Sequence, residues 1–356
     1  MGYCSLTSRS SVKRMTKPAA DNKNPKHETP PSDLNWRTAM SHAFSRADEL
    51  LNTLQIAPNN SIQIRTFPLR VPRSFVSRMQ PGDPDDPLLR QILPIPDELC
   101  AVDGYSSDPV GDLDSVIAPG VLHKYAGRAL LVVTGACAIH CRYCFRRSYP
   151  YANSSLSRQD FQTAIYALRS DPSIQEVILS GGDPFTLTNE KLATLLNALS
   201  KIEHIKRIRI HTRIPVVLPE RIDPELLALI ATCSLPVIIV IHCNHAQEID
   251  TSVATAASAL KENGATILNQ SVLLRGVNDS ADALVDLSEA LFSIGVLPYY
   301  LHQLDPVAGA AHFNVEDIRA IELIDAVADR LPGYLVPRLV REIPGESAKK
   351  PLHGLV

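Results

Sequence analysis

Cys137, Cys141 and Cys144, in the run Cys137-Ala-Ile-His-Cys141-Arg-Tyr-Cys144, place three thiolates in one short loop directly after the apolar stretch Ala129-Leu-Leu-Val-Val133. Iron–sulfur cubanes are ordinarily held by four cysteine thiolates. A loop that offers three, with no fourth nearby, leaves one iron of a [4Fe–4S] cluster open. The amino and carboxylate groups of S-adenosylmethionine can chelate such an iron. An electron from the cluster can then break the sulfonium C–S bond and release a 5′-deoxyadenosyl radical. A structural zinc knuckle is the competing reading. Zinc prefers four closed nitrogen and sulfur ligands, and His140 inside the loop could complete that set.

Further along the chain stand Gly181, Gly182 and Asp183, in Leu179-Ser-Gly-Gly-Asp-Pro184. By itself this is the composition of an ordinary turn. Placed one structural unit after a cysteine loop, it reads as a clamp on the amino group of S-adenosylmethionine. The glycines would let the backbone approach the ligand, and the aspartate would accept from its ammonium. His211 and His242 end two later apolar runs, where a histidine is either a hydrogen-bonded structural residue or a catalytic one. His242, opening His-Cys-Asn-His-Ala-Gln-Glu248, is the one assigned to the cofactor.

The elements that must position these residues are legible from periodicity. From residue 128 onward short runs rich in Val, Ile and Leu recur at 129–134, 176–180, 207–212, 236–242, 266–273 and 297–303. Between them lie segments of helical spacing, such as 192–199, 224–231 and 253–261, the last stopped by Gly264. Regular strand–helix alternation implies a parallel sheet covered by helices. Six units fall short of the eight that close a barrel. The fold class is therefore α/β, an incomplete parallel (βα)6 barrel over 123–310, with its site on the loops after the strands. An N-terminal helical extension is expected over 33–122 and a C-terminal helix with a lysine-bearing segment over 311–356. Trp36, Met40, Ala43 and Phe44 predict one helix from about Asp33 to Leu54, and the Asp-Pro repeats of Gly82-Asp-Pro-Asp-Asp-Pro-Leu-Leu-Arg90 predict turns and a helix start. Residues 1–32, polar and broken by Pro18, Pro25, Pro30 and Pro31, read as a disordered tail.

Composition narrows the class. With 45% hydrophobic and 21% charged residues in 356, the chain can bury a large core. A net charge of −3 gives no electrostatic reason to expect nucleic acid or an anionic membrane as partner. Besides the cluster loop there are four scattered cysteines, Cys4, Cys100, Cys233 and Cys243, which do not form the framework of a secreted protein. The most apolar run, Leu235 to Cys243, is too short to cross a bilayer, and no signal peptide is apparent. The expected compartment is the cytoplasm.

The C-x3-C-x2-C loop is the signature of radical S-adenosylmethionine enzymes. Together with Asp83-Pro-Asp-Asp-Pro-Leu-Leu-Arg-Gln91, Ser180-Gly-Gly-Asp-Pro184, Arg209-Ile-His-Thr-Arg213, Asn269-Gln-Ser-Val-Leu-Leu-Arg-Gly-Val-Asn-Asp279 and Pro298-Tyr-Tyr300, it makes the chain resemble the lysine 2,3-aminomutase family from about Arg70 to Leu352. The resemblance is strongest to the bacterial branch that supplies β-lysine for modifying elongation factor P. It implies pyridoxal phosphate as a further cofactor, bound through Lys349 in Arg341-Glu-Ile-Pro-Gly-Glu-Ser-Ala-Lys-Lys-Pro-Leu352, although the family's glycine run has here become Gly-Glu-Ser-Ala. It also implies that Lys124 and Arg128 hold the phosphate, Tyr125 contacts the ring, and Gln270 lies where the two cofactors meet. Lys124 stands where arginine is common, which keeps a charge but loses a bidentate fork. By the same resemblance Arg146 pairs with the substrate carboxylate, and Asp305 and Glu342 hold the ε-ammonium of L-lysine. The implied reaction removes a hydrogen from C3 of lysine, shifts the nitrogen from C2 to C3 and returns the hydrogen.

The implied partners are an electron donor such as flavodoxin or ferredoxin, and a lysyl-tRNA-synthetase-like ligase that passes β-lysine to elongation factor P. Free-standing aminomutases carry a C-terminal extension with further cysteines, whereas this chain stops soon after Lys349, which favours the elongation-factor branch. The alternatives are a free-standing lysine or glutamate 2,3-aminomutase and, from another class, a non-catalytic iron–sulfur or zinc-binding protein.

Overall fold

The structure, a computed structural model, describes residues 35–57, 67–151 and 158–352; the tail expected over 1–32 lies outside the described residues. The expected helix over 33–54 is instead two short ones, α1 (Trp36–Ser41) and α2 (Ala47–Thr53). The break has a tertiary cause. Phe44 leaves the helix to pair with Val71: its N–H donates to the Val71 carbonyl at 2.8 Å, and its carbonyl accepts from the Val71 N–H at 3.0 Å. The rest of the N-terminal segment is less helical than expected. Its described residues hold two further α-helices, α3 (Arg73–Val76) and α4 (Pro87–Arg90), and two short 3-10 helices, Pro96–Leu99 and Leu113–Ser115, followed by the first strands. The start of α4 is the one the Asp-Pro pattern predicts. Asp86 caps it by accepting from Leu88 N and Leu89 N, with proline at the first helical position, where no N–H is needed.

One ten-stranded sheet follows in sequential order: β1 (Val116–Ala118), β2 (Val121–Tyr125), β3 (Arg128–Thr134), β4 (Glu176–Gly181), β5 (Arg207–Thr212), β6 (Val237–His242), β7 (Thr266–Val272), β8 (Leu297–His302), β9 (Arg338–Arg341) and β10 (Lys350–Pro351). Strands β3 through β9 are parallel, while β1, β2 and β10 are antiparallel to their neighbours. The six expected strands are β3 to β8, each within a residue of its predicted bounds. Strands covered on both faces need near-continuous apolar runs, as in β3, β4 and β6, whereas β5 and β7 alternate buried Ile or Leu with polar residues that reach the cavity or its rim. The other four escape that reading because they are short or mixed in character, such as Val-Leu-His-Lys-Tyr in β2 and the two residues of β10.

The crossovers run through α5 (Arg158–Ser170), α6 (Asn189–Ser200), α7 (Ile214–Val217) with α8 (Pro224–Ala231), α9 (Thr251–Glu262), α10 (Ala281–Ser293) and α11 (Asp317–Ala328). Side chains of Thr188, Asp223, Asp250 and Ser280 cap α6, α8, α9 and α10, each by accepting from a backbone N–H of the first turn. The inner faces of these helices bury Leu192, Leu199, Leu226, Leu260 and Leu291 in one core with Val177, Ile208 and Ile239 of the sheet. A rigid sheet thus carries its loops to one end. Among the described residues no helix is long and apolar enough to cross a membrane.

Candidate active site

At the C-terminal ends of the parallel strands lies a cavity of about 480 Å³, lined by residues from the cysteine loop to Lys349. All of the residues predicted for the site line it, together with Arg209, His211, Arg213, Tyr299, Tyr300 and His302. The expected placement on the loops after the strands therefore agrees with the geometry.

The cysteine loop is held from behind by the N-terminal segment. Arg142, wholly buried, donates to both carboxylate oxygens of Glu98 at 2.7–3.1 Å and lies over the Phe67 ring. Backbone bonds from His140 N to Arg70 O (2.9 Å) and from Arg142 N to Gln91 O (2.8 Å) complete the anchorage. Burial first, and the neighbouring Cys144 second, pushes the Cys137 thiol up; burial and then Cys141 raise Cys144 to about 11. The raised Cys137 and Cys144 thiols suit a polycationic iron cluster, whose charge favours their thiolates. Arg213 adds local positive charge, its Nη1 lying 2.8 Å from Cys141 Sγ. Zinc fits less well. Among the described residues no three His, Cys, Asp or Glu side chains converge as ligands of one ion. The thiolates of a cubane bind separate irons and need no such convergence. His140, the proposed fourth zinc ligand, places Nδ1 2.8 Å from Pro68 O and stacks on Phe67.

The Gly-Gly-Asp turn departs from its expected role. A Cβ at Gly181 would lie 2.4 Å from Thr134 O, and one at Gly182 would lie 2.2 Å from Ala136 O. Glycine is required there so that the turn can pack on the backbone of the cysteine loop, where Gly182 N donates to Thr134 O (2.7 Å) and Asp183 N to Ala136 O (2.8 Å). The buried carboxylate of Asp183 accepts from Thr212 Oγ1 (2.7 Å), Arg213 N (2.7 Å), Phe185 N (3.0 Å) and Ile214 N (3.2 Å). A carboxylate has about four acceptor sites, so none is left for an ammonium. Asp183 is an anchor between β4 and β5.

His242 and Gln270 sit opposite each other in the β6–β7 register, with His242 Nε2 and Gln270 Nε2 2.7 Å apart. Burial, then Arg213 and Arg146, lowers His242 to about 3, so it is neutral and can accept from the amide. His211 and His302 are likewise pushed well below the ordinary range, by burial above all, and the Nε2 of each is buried without a partner. These orphaned ring nitrogens leave hydrogen-bonding capacity unmet beside the tyrosine pair Tyr299–Tyr300. Arg128, stacked over Tyr125 at 4.8 Å, has no carboxylate partner among the described residues, which suits an anion such as the phosphate of pyridoxal phosphate.

Lys124 departs more sharply from its assignment to the phosphate. Its ammonium donates to Val110 O (2.6 Å), Asp112 Oδ1 (2.8 Å) and Glu342 Oε1 (2.8 Å). An ammonium has three protons, so Lys124 is a half-buried structural cation with nothing left for a phosphate. Glu342 is held by both Lys124 and Lys349. Burial works to raise Glu342, but these two ammoniums outweigh it and leave it lowered to about 2. Asp305, buried beside that charge, is instead raised to about 7, by burial first and Glu342 second. Arg146 donates through Nε to Asp112 (2.7 Å) and through Nη1 to Ser180 Oγ (2.9 Å), which leaves three of its five N–H groups for a ligand. Asp112 carries no sequence signal, since it lies in an irregular stretch with no motif spacing. Arg209 and Arg213 bracket one of the quoted motifs, and only the fold shows that both reach the cavity.

Comparison with known proteins fits this arrangement. The model of the Radical SAM superfamily matches residues 131–287, which run from β3 into α10. The L-lysine 2,3-aminomutase of Escherichia coli (strain K12) is 47% identical over 327 residues, covering 90% of this chain and 95% of that protein. The L-lysine 2,3-aminomutase of Buchnera aphidicola subsp. Baizongia pistaciae is 44% identical, covering 88% and 94%. That of Clostridium subterminale is 33% identical, covering 89% and 77%. With the three-cysteine loop, the lysine and the paired acids set around one cavity, and with relatives this similar over most of its length, the chain belongs to the lysine 2,3-aminomutase family of radical S-adenosylmethionine enzymes.

Proposed function

We propose that the chain is an isomerase that moves the amino group of L-lysine from C2 to C3. The observation that carries the choice of lysine is the pair Asp305 and Glu342 in one cavity with Arg146 and Lys349. When bound, the cluster and S-adenosylmethionine supply a carbon-centred radical, and pyridoxal phosphate supplies a π-system that lets nitrogen migrate. The protein's own residues orient and exclude. Arg146, fixed by Asp112 and Ser180, offers its remaining N–H groups to the substrate carboxylate. The two acids receive the distal ammonium, Glu342 exchanging an ammonium partner for that of the substrate. Lys349, held by Glu342, is the cofactor lysine. The enclosing walls keep water from the radical.

The test is an anaerobic assay with lysine, S-adenosylmethionine, pyridoxal phosphate and a reductant, run beside the same assay on glutamate. Turnover of glutamate in place of lysine would overturn the reading. Removing one of two buried charge partners of an ammonium is expected to cost roughly 3–5 kcal/mol of lysine binding in Asp305→Ala or Glu342→Ala. The pH dependence has a definite sign. Asp305 must be ionised to pair with an ammonium, and its raised value of about 7 leaves it increasingly neutral below that pH. Lysine affinity should fall by roughly tenfold per pH unit below 7 as one proton is taken up, and Asp305→Asn should abolish that slope.

We infer further that the β-lysine is passed to a lysyl-tRNA-synthetase-like ligase for attachment to elongation factor P, with a flavodoxin or ferredoxin as the electron donor. The resemblance to the elongation-factor branch supports this. Deletion of the gene in its host should remove the β-lysyl mass increment from elongation factor P. A factor that keeps its full modified mass would remove this role and leave the aminomutase chemistry standing.

A further inference from the structure

Asp112 joins charges that come from three separate parts of the fold. It lies on a loop that Asp108 shapes by accepting from Asp112 N (2.9 Å) and Leu113 N (3.1 Å), and only 3% of its surface is exposed. Its Oδ2 receives Nε of Arg146 from beyond the cysteine loop (2.7 Å), and its Oδ1 receives Nζ of Lys124 from β2 (2.8 Å). Lys124 carries the chain on to Glu342, just past β9, which holds Lys349. Positive and negative groups thus alternate without a gap from Arg146 to Lys349 along one wall of the cavity.

We propose that Asp112 is a positioning residue that fixes the span between Arg146 and Glu342 and so makes the site select α-amino acids by the distance from carboxylate to terminal ammonium. This rests on the reading of Arg146 and Glu342 as the two ends of the lysine site. A guanidinium gripped at Nε by Asp112 and at Nη1 by Ser180 cannot swing toward a shorter ligand. Glu342, tied through Lys124 to the same carboxylate, cannot advance to meet one either. A ligand with one methylene fewer must forgo full contact at one end, whereas a loose pair of charges would close upon it. Neutralising Asp112 leaves Lys124 and Arg146 as like charges with no anion between them, and both ends of the ruler relax.

The experiment uses anaerobic protein loaded with cluster and pyridoxal phosphate but without S-adenosylmethionine, so that nothing turns over. Affinities for lysine and for ornithine, one methylene shorter, are read from the change in the cofactor's absorbance. The unaltered protein should favour lysine by at least roughly tenfold, and Asp112→Asn should bring the two affinities within about threefold of each other. Lys124→Gln, which leaves the Arg146–Asp112 contact in place, should relax the ratio in the same way while weakening lysine less. Asp112→Glu, which restores the charge, should recover part of the preference. Should Asp112→Asn fail to fold, Lys124→Gln decides. Equal weakening of both ligands, or an unchanged ratio in a folded variant, would overturn the proposal. An unaltered protein with no preference for lysine over ornithine would instead overturn the lysine-site reading beneath it.

Discussion

Cys141→Ala is expected to yield protein without the visible absorption of a [4Fe–4S] cluster and without detectable aminomutase activity. The same outcome is expected for Cys137→Ala and Cys144→Ala. With each thiolate assigned to a different iron, loss of any one would open a second iron in a cubane whose fourth position must stay available for S-adenosylmethionine. All three half-buried cysteines line the cavity, and Arg213 lies against Cys141. No other described cysteine can substitute. Cys100 is exposed, Cys233 lies beside Ser200, and the buried Cys243 turns its thiol to His245 O at 3.4 Å. Replacing Cys4, Cys100, Cys233 or Cys243 should therefore leave iron and sulfide content unchanged. The check is metal and sulfide analysis with absorption spectra on anaerobically purified variants. A full cluster in Cys141→Ala would sink the assignment.

Lys349→Met should abolish the covalent link to pyridoxal phosphate and leave no detectable aminomutase activity. The fold should survive, since Glu342 keeps Lys124 as an ion-pair partner at 2.8 Å. Lys350→Ala should behave like the unaltered protein. The two neighbours differ because β10 pairs with β9 through Lys350 and Pro351, a register in which Lys349 lines the cavity while Lys350 is half-exposed and paired with Glu346 at 2.8 Å. Borohydride reduction and peptide mapping distinguish them: the pyridoxyl group is expected on Lys349. A label on Lys350 would mean that the Gly-Glu-Ser-Ala stretch shifts the chain by one residue when the cofactor binds.

Much of this protein is written locally. The cluster ligands lie within eight residues, and their spacing alone names their chemistry. The six central strands announce themselves as continuous apolar runs in β3, β4 and β6 or as short runs in which Ile and Leu recur in β5, β7 and β8, and α6, α8, α9 and α10 begin at capping side chains. The equivalence of Lys349 with a cofactor lysine is not visible in its neighbours at all; it comes from likeness to relatives, and the fold adds only that this lysine and not the next faces the cavity.

What the chain cannot disclose by itself is which polar groups are already satisfied, because their partners are distant in sequence. Asp183 looks like an open carboxylate until β5 brings Thr212 and Arg213 against it. Lys124 looks like a phosphate ligand until Val110, Asp112 and Glu342, the last 218 residues away, take its three protons. The helix expected across Phe44 ends there because Val71 offers a better pairing than another helical turn. Residue type and spacing determine what a side chain is able to do. Only the tertiary structure decides how much of that capacity is left for a ligand, since burial makes every unsatisfied polar group costly and the fold satisfies most of them itself.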